Sequence, residues 1–516
     1  GMTNLITGIA CAYFDSTPTI YITGQVNTFE SKQSLPAGRQ VRQVGFQETD
    51  IVDIVAPLTK YAVRVDEPKD IRFELEKALY LAKSGRPGPV LIDLPMDVQR
   101  AEIDPKQLDS FRPTEEPLDV DHLDEVKEKV TKAIALMTKA KRPVVIAGGA
   151  IRYADQTKEF QKLVEALGFP VVATWSGIDV LHHDHPLYVG QIGVYGNRAA
   201  NFTVQNSDCI LALGTRLDTR ITGGKPETFA RAAKKIVVDI DRAELFKNRG
   251  LTPDVGICAD VRDVLPVFLD KLKRTHVPDI DEWKKQTHTW KQKYPAVLPR
   301  WRKRKTKVDP YVFVETLSNL LDSHATVITD CGANLTWTIQ AFHVHDGQRL
   351  FSAMGNSPMG YSLAASMGAS VALGKKPVVC IIGDGGFQIN IQELETIAHY
   401  KLPVKVFILN NHSYGIIKQF QDTYFDSRYE ATTPKSGYGV PDFIKISKAY
   451  GLATETIRSH SELKRKILTV LKQKGAVICD VILPDDAKMI PKLEFGKPIE
   501  DMSPQLPRPE FFTNML

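Results

Sequence analysis

The sequence predicts an α/β protein made of three doubly wound parallel-sheet domains in series. Apolar runs about as long as a buried strand, rich in Val and Ile, recur from end to end. Stretches with helical spacing separate them, and two polar, Pro-bearing segments divide them into three groups. The length of 516 residues agrees with three units, since domains typically hold ~100–200 residues.

Taken in order, the first group has strands at Thr19-Ile20-Tyr21-Ile22-Thr23 and Val90-Leu91-Ile92-Asp93-Leu94, with helical spacing over 70–83 between them. Residues 104–120, rich in Pro, Asp and Glu, form a linker. The second group starts at Pro143-Val144-Val145-Ile146-Ala147-Gly148-Gly149. It continues through Pro170-Val171-Val172-Ala173-Thr174 and Cys209-Ile210-Leu211-Ala212-Leu213-Gly214, and closes near Leu272. The basic run Arg300-Trp301-Arg302-Lys303-Arg304-Lys305 lies in a second, solvent-facing joint. The third group spans about 309–483, with strands at 326–329, 378–382, 404–409 and 476–481. Arg39-Gln40-Val41 repeats at once as Arg42-Gln43-Val44, a local feature of a loop without architectural meaning.

Composition excludes several classes. With 25% charged and 43% hydrophobic residues the chain is neither disordered nor fibrous. A net charge of +5 over this length is too small to indicate nucleic acid. The six cysteines stand singly, without a C-x-x-C pair, as expected of buried thiols in a reducing compartment. No apolar run reaches ~18 residues and no basic-then-apolar leader opens the chain, so neither membrane span nor signal peptide is expected, and the cytoplasm is.

The strongest chemical signal is Ile381-Ile382-Gly383-Asp384-Gly385-Gly386, followed by a helix over 390–400, a strand over 404–409 and then Asn410-Asn411. Glycines at a strand end let the backbone approach a phosphate closely and present amides to it, and a diphosphate fits that need. Asp384 and Asn411 supply the hard oxygens that Mg²⁺ takes when it also holds phosphates, with the Ser413 carbonyl as a third. Gly-Asp-Gly followed at this distance by Asn-Asn arises by chance in about one such chain in a thousand. Gly148-Gly149 after a strand is common in any α/β protein and by itself marks only a turn.

With these residues in place, the chain resembles the thiamine diphosphate (ThDP) enzymes, and among them the acetolactate synthase large subunit and its relatives, over nearly all of its length. The resemblance implies a pyrimidine-binding (PYR) domain at 1–103, a linker at 104–123, and a central Rossmann-type domain at 124–273. A basic linker at 274–308, a diphosphate-binding (PP) domain at 309–488 and a tail at 489–516 follow. It implies ThDP contacts from Asn334, Met359, Gly383, Asp384, Gly385, Gly386, Asn411, Ser413, Tyr414 and Gly415, and Mg²⁺ on Asp384, Asn411 and Ser413. Met359, in Ser357-Pro358-Met359-Gly360-Tyr361, occupies the place of the residue that bends the cofactor. Gly45-Phe46-Gln47-Glu48-Thr49-Asp50 resembles the loop that sets Phe46 and Gln47 near the reacting carbon.

The middle group resembles the FAD-binding version of the central domain, through Leu213-Gly214-Thr215-Arg216-Leu217-Asp218-Thr219-Arg220-Ile221-Thr222-Gly223. Implied FAD contacts are Arg86, Gly148, Gly149, Thr174, Arg216, Asp218, Arg220, Asp239, Ile240 and Asp260. Arginines suit a diphosphate, and a strand-end carboxylate suits a ribose hydroxyl. A retained fold with an empty pocket is the alternative. Sites of this family form between the PYR domain of one subunit and the PP domain of another, which implies a homodimer or homotetramer; a small regulatory subunit is a further partner the family admits.

Three departures qualify the resemblance. Gly1-Met2-Thr3-Asn4-Leu5 resembles an interior turn of the PYR domain, so the opening strands and the Glu that activates the cofactor are expected to be missing by truncation. No residue is assigned to that role, and Glu48, in a different loop, does not replace it. Met96 stands where relatives commonly have Lys, and Phe420 where they often have Trp. The tail bears a looser resemblance to enzymes that attach a two-carbon unit to a keto-sugar nucleotide. The expected function is decarboxylation of a 2-oxo acid, pyruvate first, with transfer of the two-carbon unit to a carbonyl acceptor. A decarboxylase or flavin-linked oxidase, and a ThDP-binding protein without catalysis, are the alternatives.

Overall fold

The computed structural model describes residues 1–36, 38, 41–113, 119–247 and 249–516. Arg39 and Gln40 of the short repeat, and residues 114–118 of the expected linker, lie outside the described residues. The chain divides into two units, one of Gly1–Leu118 with Ala353–Asn356, the other of Asp119–Ser352 with Ser357–Leu516.

The first unit is a three-stranded parallel sheet. Its strands β1 (Ile20–Gln25), β2 (Tyr61–Arg64) and β3 (Val90–Pro95) take the order β1-β3-β2. Strand β3 is buried at all but one position, because helices cover both faces of a central parallel strand. The helix Ile71–Lys83 turns Ala78 and Ala82 onto one face of it, against Val90 and Ile92, while Ile9, Ile51 and Val55 meet Leu91 on the other.

The second unit holds two six-stranded sheets, parallel throughout. In the first, β4 (Pro143–Ala147), β5 (Val171–Ala173), β6 (Tyr188–Gln191), β7 (Cys209–Leu213), β8 (Lys234–Asp239) and β9 (Val255–Cys258) run in the order β6-β5-β4-β7-β8-β9. That order reverses between β4 and β7, a switch point whose carboxyl-end crevice receives ligands in such sheets. In the second, β10 (Thr326–Thr329), β11 (Arg349–Phe351), β12 (Val378–Gly383), β13 (Val404–Asn410), β14 (Ala453–Ile457) and β15 (Val477–Ile482) run β11-β10-β12-β13-β15-β14. Its reversal lies between β10 and β12, with every residue of β13 buried.

Three stretches differ from the sequence expectation. Residues 274–308 are not a bare connector, since the helix Asp281–Lys293 buries Trp283 and Trp290 in the core of the β4–β9 sheet. The reason is spacing: the two rings lie seven residues apart, so an otherwise polar helix carries one apolar stripe. The basic run beyond it is largely exposed, with Trp301 stacked on Tyr311. The tail after 489 also packs inward, setting Ile499 and Phe511 into that same core. The expected helix over 390–400 covers Glu393–His399, and a further helix, Asp384–Ile389, follows β12 directly.

Candidate active site

The carboxyl ends of β10, β12 and β13 bring together the residues of the Gly-Asp-Gly signal and its Asn-Asn partner. Gly385 lies so close to Tyr414, and Gly386 to the Asp330 carboxylate, that a methyl group on either would overlap its neighbour. Gly383 faces the Asn334 amide, and Gly415 the Asn411 amide. These glycines are needed for close packing.

Asp384 is 2% exposed. Its Oδ1 accepts from the Gly385 amide at 2.7 Å and from the Tyr438 hydroxyl at 2.9 Å, while Oδ2, equally buried, has no hydrogen-bond partner among the described residues. Burial pushes its pKa up to about 6, against the pull of the Tyr438 hydroxyl and the Gly385 amide. A buried carboxylate oxygen without a donor is costly unless a cation completes it, so the donor set fits a hard divalent ion. Asn411 and Ser413 are buried beside it, the Asn411 amide donating to Ser413 Oγ at 2.9 Å. Among the described residues no cluster of three His, Cys, Asp or Glu side chains forms a metal site, so a cation here depends on mixed oxygen donors.

Asn334 is spent on its own turn. Its Nδ2 donates to the Cys331 carbonyl at 2.6 Å, and its Oδ1 accepts from Thr329 Oγ1 and the Asp330 amide. Met359 is half-buried in the turn ahead of the helix Tyr361–Ala372, which starts after Gly360 in the left-handed region. Phe420 lies on the helix Gly415–Tyr424 among Tyr424, Phe425 and Phe495, partly exposed.

Sequence reasoning missed Asp330 and Tyr438. Asp330, fully buried at the end of β10, accepts the Gly360 amide on Oδ2 at 3.0 Å and the Ser362 amide on Oδ1 at 2.9 Å. It thereby ties the Met359 turn to the floor under Gly386. Burial pushes its pKa up to about 6 despite the amide donors. An Asp one residue past a Val-Ile strand was the available signal; Tyr438, in a loop outside any motif, offered none.

At the other switch point, Gly148 follows β4 and sits against the Gly214 backbone so tightly that only glycine fits, and Gly149 packs on Ser176. Thr174 is buried at the end of β5, its Oγ1 donating to the Ala147 carbonyl. Asp218 caps the helix Thr219–Thr222 by accepting the Arg220 amide and lies 3.6 Å from the Arg216 guanidinium. The Arg220 guanidinium lies over the rings of Trp175 and Tyr195, and the buried Trp175 Nε1 has no partner among the described residues. Asp239 ends β8 and accepts the Asp241 amide, with Ile240 between them. Asp260 caps the helix Val261–Leu272 and pairs with Arg262. Glycine clearance at the crossing, an unused indole donor and an arginine at the rim fit a dinucleotide.

In the first unit, Phe46 is 86% exposed and Gln47 adopts a φ of 68°. The loop is held by its neighbours. Glu48 accepts the Lys32 and Val44 amides, one on each oxygen, and Gln25 Nε2 donates to both the Thr49 carbonyl and the buried Asp93. With both oxygens occupied by backbone amides, Glu48 is a loop anchor. Arg86 belongs to this unit and donates to Ser16 Oγ.

Comparison with known proteins adds the last observation. Residues 130–268 match the family described as thiamine pyrophosphate enzyme, central domain, and residues 330–481 match thiamine pyrophosphate enzyme, C-terminal TPP binding domain. The chain is 34% identical over 510 residues to the acetolactate synthase large subunit of Cyanidium caldarium, covering 96% of this chain and 82% of that protein. It is 36% identical over 520 residues to the acetolactate synthase of Arthrospira platensis, covering 97% and 84%. It is 32% identical over 519 residues to the chloroplastic acetolactate synthase of Arabidopsis thaliana, covering 97% and 73%.

Proposed function

Because this chain belongs to the thiamine pyrophosphate enzymes, among the relatives of acetolactate synthase large subunits, we propose that it acts with Mg²⁺ on pyruvate and joins the two-carbon unit to a carbonyl acceptor. Family membership makes it a ThDP-dependent enzyme of the transferase type, coupling decarboxylation to carboligation. The observation that supports the finer reading is the buried, donorless Oδ2 of Asp384 beside Asn411 and Ser413.

When bound, ThDP supplies the electron sink that lets a 2-oxo acid lose CO₂. The chain's own residues do the positioning. Asp384, Asn411 and the Ser413 carbonyl would hold Mg²⁺, and Gly383, Gly385 and Gly386 let the Asn334, Tyr414 and Asp330 side chains close against the backbone that would face the diphosphate. Met359, held through Gly360 and Asp330, would fix the cofactor's bend. Asn334 lies against Gly383, Tyr414 against Gly385 and Gly415 against Asn411, beside the same carboxylate. Phe46, Gln47 and Phe420 are the candidates for shaping the acceptor's surroundings. FAD would occupy the β4–β7 crossing, with Gly148, Gly149, Thr174, Arg216, Asp218, Arg220, Asp239, Ile240 and Asp260 as its candidate contacts. A homodimer or homotetramer, with or without a small regulatory subunit, is the proposed assembly.

Product analysis tests this. With ThDP, Mg²⁺ and pyruvate, acetolactate and CO₂ are expected in equal amounts. Free acetaldehyde would make the protein a decarboxylase, and acetate with reduced flavin an oxidase. CO₂ only after adding a keto-sugar nucleotide would move the acceptor to that class. No CO₂ from a ThDP-saturated protein would leave a binding protein. The absorption spectrum of the purified protein decides the flavin, and a ThDP-saturated monomer in sedimentation would overturn the assembly.

A further inference from the structure

Tyr438 reaches the cation site from a part of the chain that carries no cofactor motif. It lies in the loop between the helices Gly415–Tyr424 and Phe443–Ala449, and is 6% exposed. Its hydroxyl donates to Asp384 Oδ1 at 2.9 Å, and its ring packs 4.3 Å from that of Tyr414. The loop is tied down around it: the Tyr438 amide donates to the Thr433 carbonyl at 3.0 Å, and Gln388 Nε2 donates to the Gly439 carbonyl at 3.2 Å.

The consequence is a division of labour between the two oxygens of one carboxylate. Without the tyrosine, Oδ1 would keep only the amide of the adjacent Gly385, a bond that leaves the carboxylate free to rotate. With it, two donors on one oxygen fix the side-chain torsion and leave Oδ2 as the open acceptor. Partners of this kind orient a metal's ligands and set its affinity. We propose that Tyr438 is a positioning residue for the Mg²⁺ ion, presenting Asp384 Oδ2 to the metal by holding Oδ1.

The inference rests on reading Asp384 as the Mg²⁺ ligand, and the test separates the two. Tyr438→Phe keeps the ring against Tyr414 and removes only the hydroxyl. Mg²⁺ is titrated calorimetrically into wild type and variant, each saturated with ThDP, and the cofactor-free proteins are melted in parallel. The expected result is a Mg²⁺ affinity about tenfold or more weaker in the variant, in the range for partners of metal ligands, with the cofactor-free melting temperature unchanged. Activity at saturating Mg²⁺ should return to near the wild-type level, so the loss appears in the half-saturating metal concentration rather than in kcat. Equal Mg²⁺ affinities in the two proteins would overturn the role of Tyr438 and leave the Asp384 reading intact. A variant that melts earlier without cofactor and binds Mg²⁺ as before would make the hydroxyl merely structural, and overturn it too. A wild type that binds no Mg²⁺ in the presence of ThDP, with Asp384→Asn equally inert, would remove both readings together.

Discussion

Replacing Asp384 by Asn keeps the shape of the side chain and removes its charge. The Tyr438 hydroxyl still finds an oxygen, while the open position loses the negative charge that a divalent cation requires. Mg²⁺ affinity in the presence of ThDP is expected to fall by at least tenfold, read by calorimetry. The cofactor-free protein should melt no earlier than wild type, because the variant no longer buries an uncompensated charge. Gly386→Ala probes the floor beneath. Its methyl would press on the Asp330 carboxylate, which cannot retreat without releasing the Gly360 and Ser362 amides. A loss of about 1–3 kcal/mol in denaturant unfolding is expected, together with weaker ThDP binding. A variant as stable as wild type would show that this floor yields.

Elements repeat one device in all three sheets. A lysine just before or within a strand reaches back and places its ammonium on carbonyls at the end of a helix or turn. Lys60, ahead of β2, binds the Leu81 and Ser84 carbonyls; Lys235 in β8 binds those of Ala230 and Ala233; Lys405 in β13 binds those of Gln473 and Gly475. Burial pushes all three pKa values down, Lys60 to about 8, while the carbonyls gain a donor. Lys405→Met fills the same space without the donor and should cost about 1–3 kcal/mol in denaturant unfolding; a neutral result would mean that water replaces the ammonium. How much of these elements was legible in the sequence depends on burial. Strands β4, β7 and β12 are covered on both faces and read as unbroken apolar runs, and β3 and β13 do so apart from Asp93 in the one and Lys405 and the terminal Asn410 in the other, so pattern alone located them. Strand β2 (Tyr-Ala-Val-Arg) and the three-residue β11 lie at sheet edges, where length and polarity fall below what periodicity resolves. The site follows the same logic. Gly383 to Gly386 and Asn411 are contiguous in short motifs, whereas Asp330 and Tyr438 act across 54 residues on either side of Asp384, and only folding brings the three together.

At the scale of the whole second unit, its two sheets meet along a histidine seam. His183 donates its amide to the Val344 carbonyl at 2.9 Å and accepts the Val344 amide on Nδ1 at 3.0 Å, with Gln191 at Nε2 and His343, His345 and Lys291 nearby. Full burial, then the neighbouring positive groups, holds its pKa well below the usual histidine value. The unfolded chain therefore binds a proton near pH 6.5 that the folded one refuses, so this residue's contribution to stability is complete above that pH and is lost on acidification. Asp330 and Asp384 act oppositely in the cofactor-free protein, since a folded pKa near 6 favours the fold as pH falls below it. The comparison must therefore be between wild type and His183→Asn, melted at pH 7.5 and at pH 5.5: the gap between them should narrow in acid by up to about 1.4 kcal/mol per pH unit. A gap independent of pH would mean that His183 takes up its proton in the folded protein as it does in the unfolded chain. The returning tail has a consequence of another kind. Because Ile499 and Phe511 complete a core begun at Val126, the middle sheet cannot finish folding on the ribosome until Phe511 has emerged, long after its own strands have been made. A nascent chain stalled before 499 should expose that apolar face to chaperones.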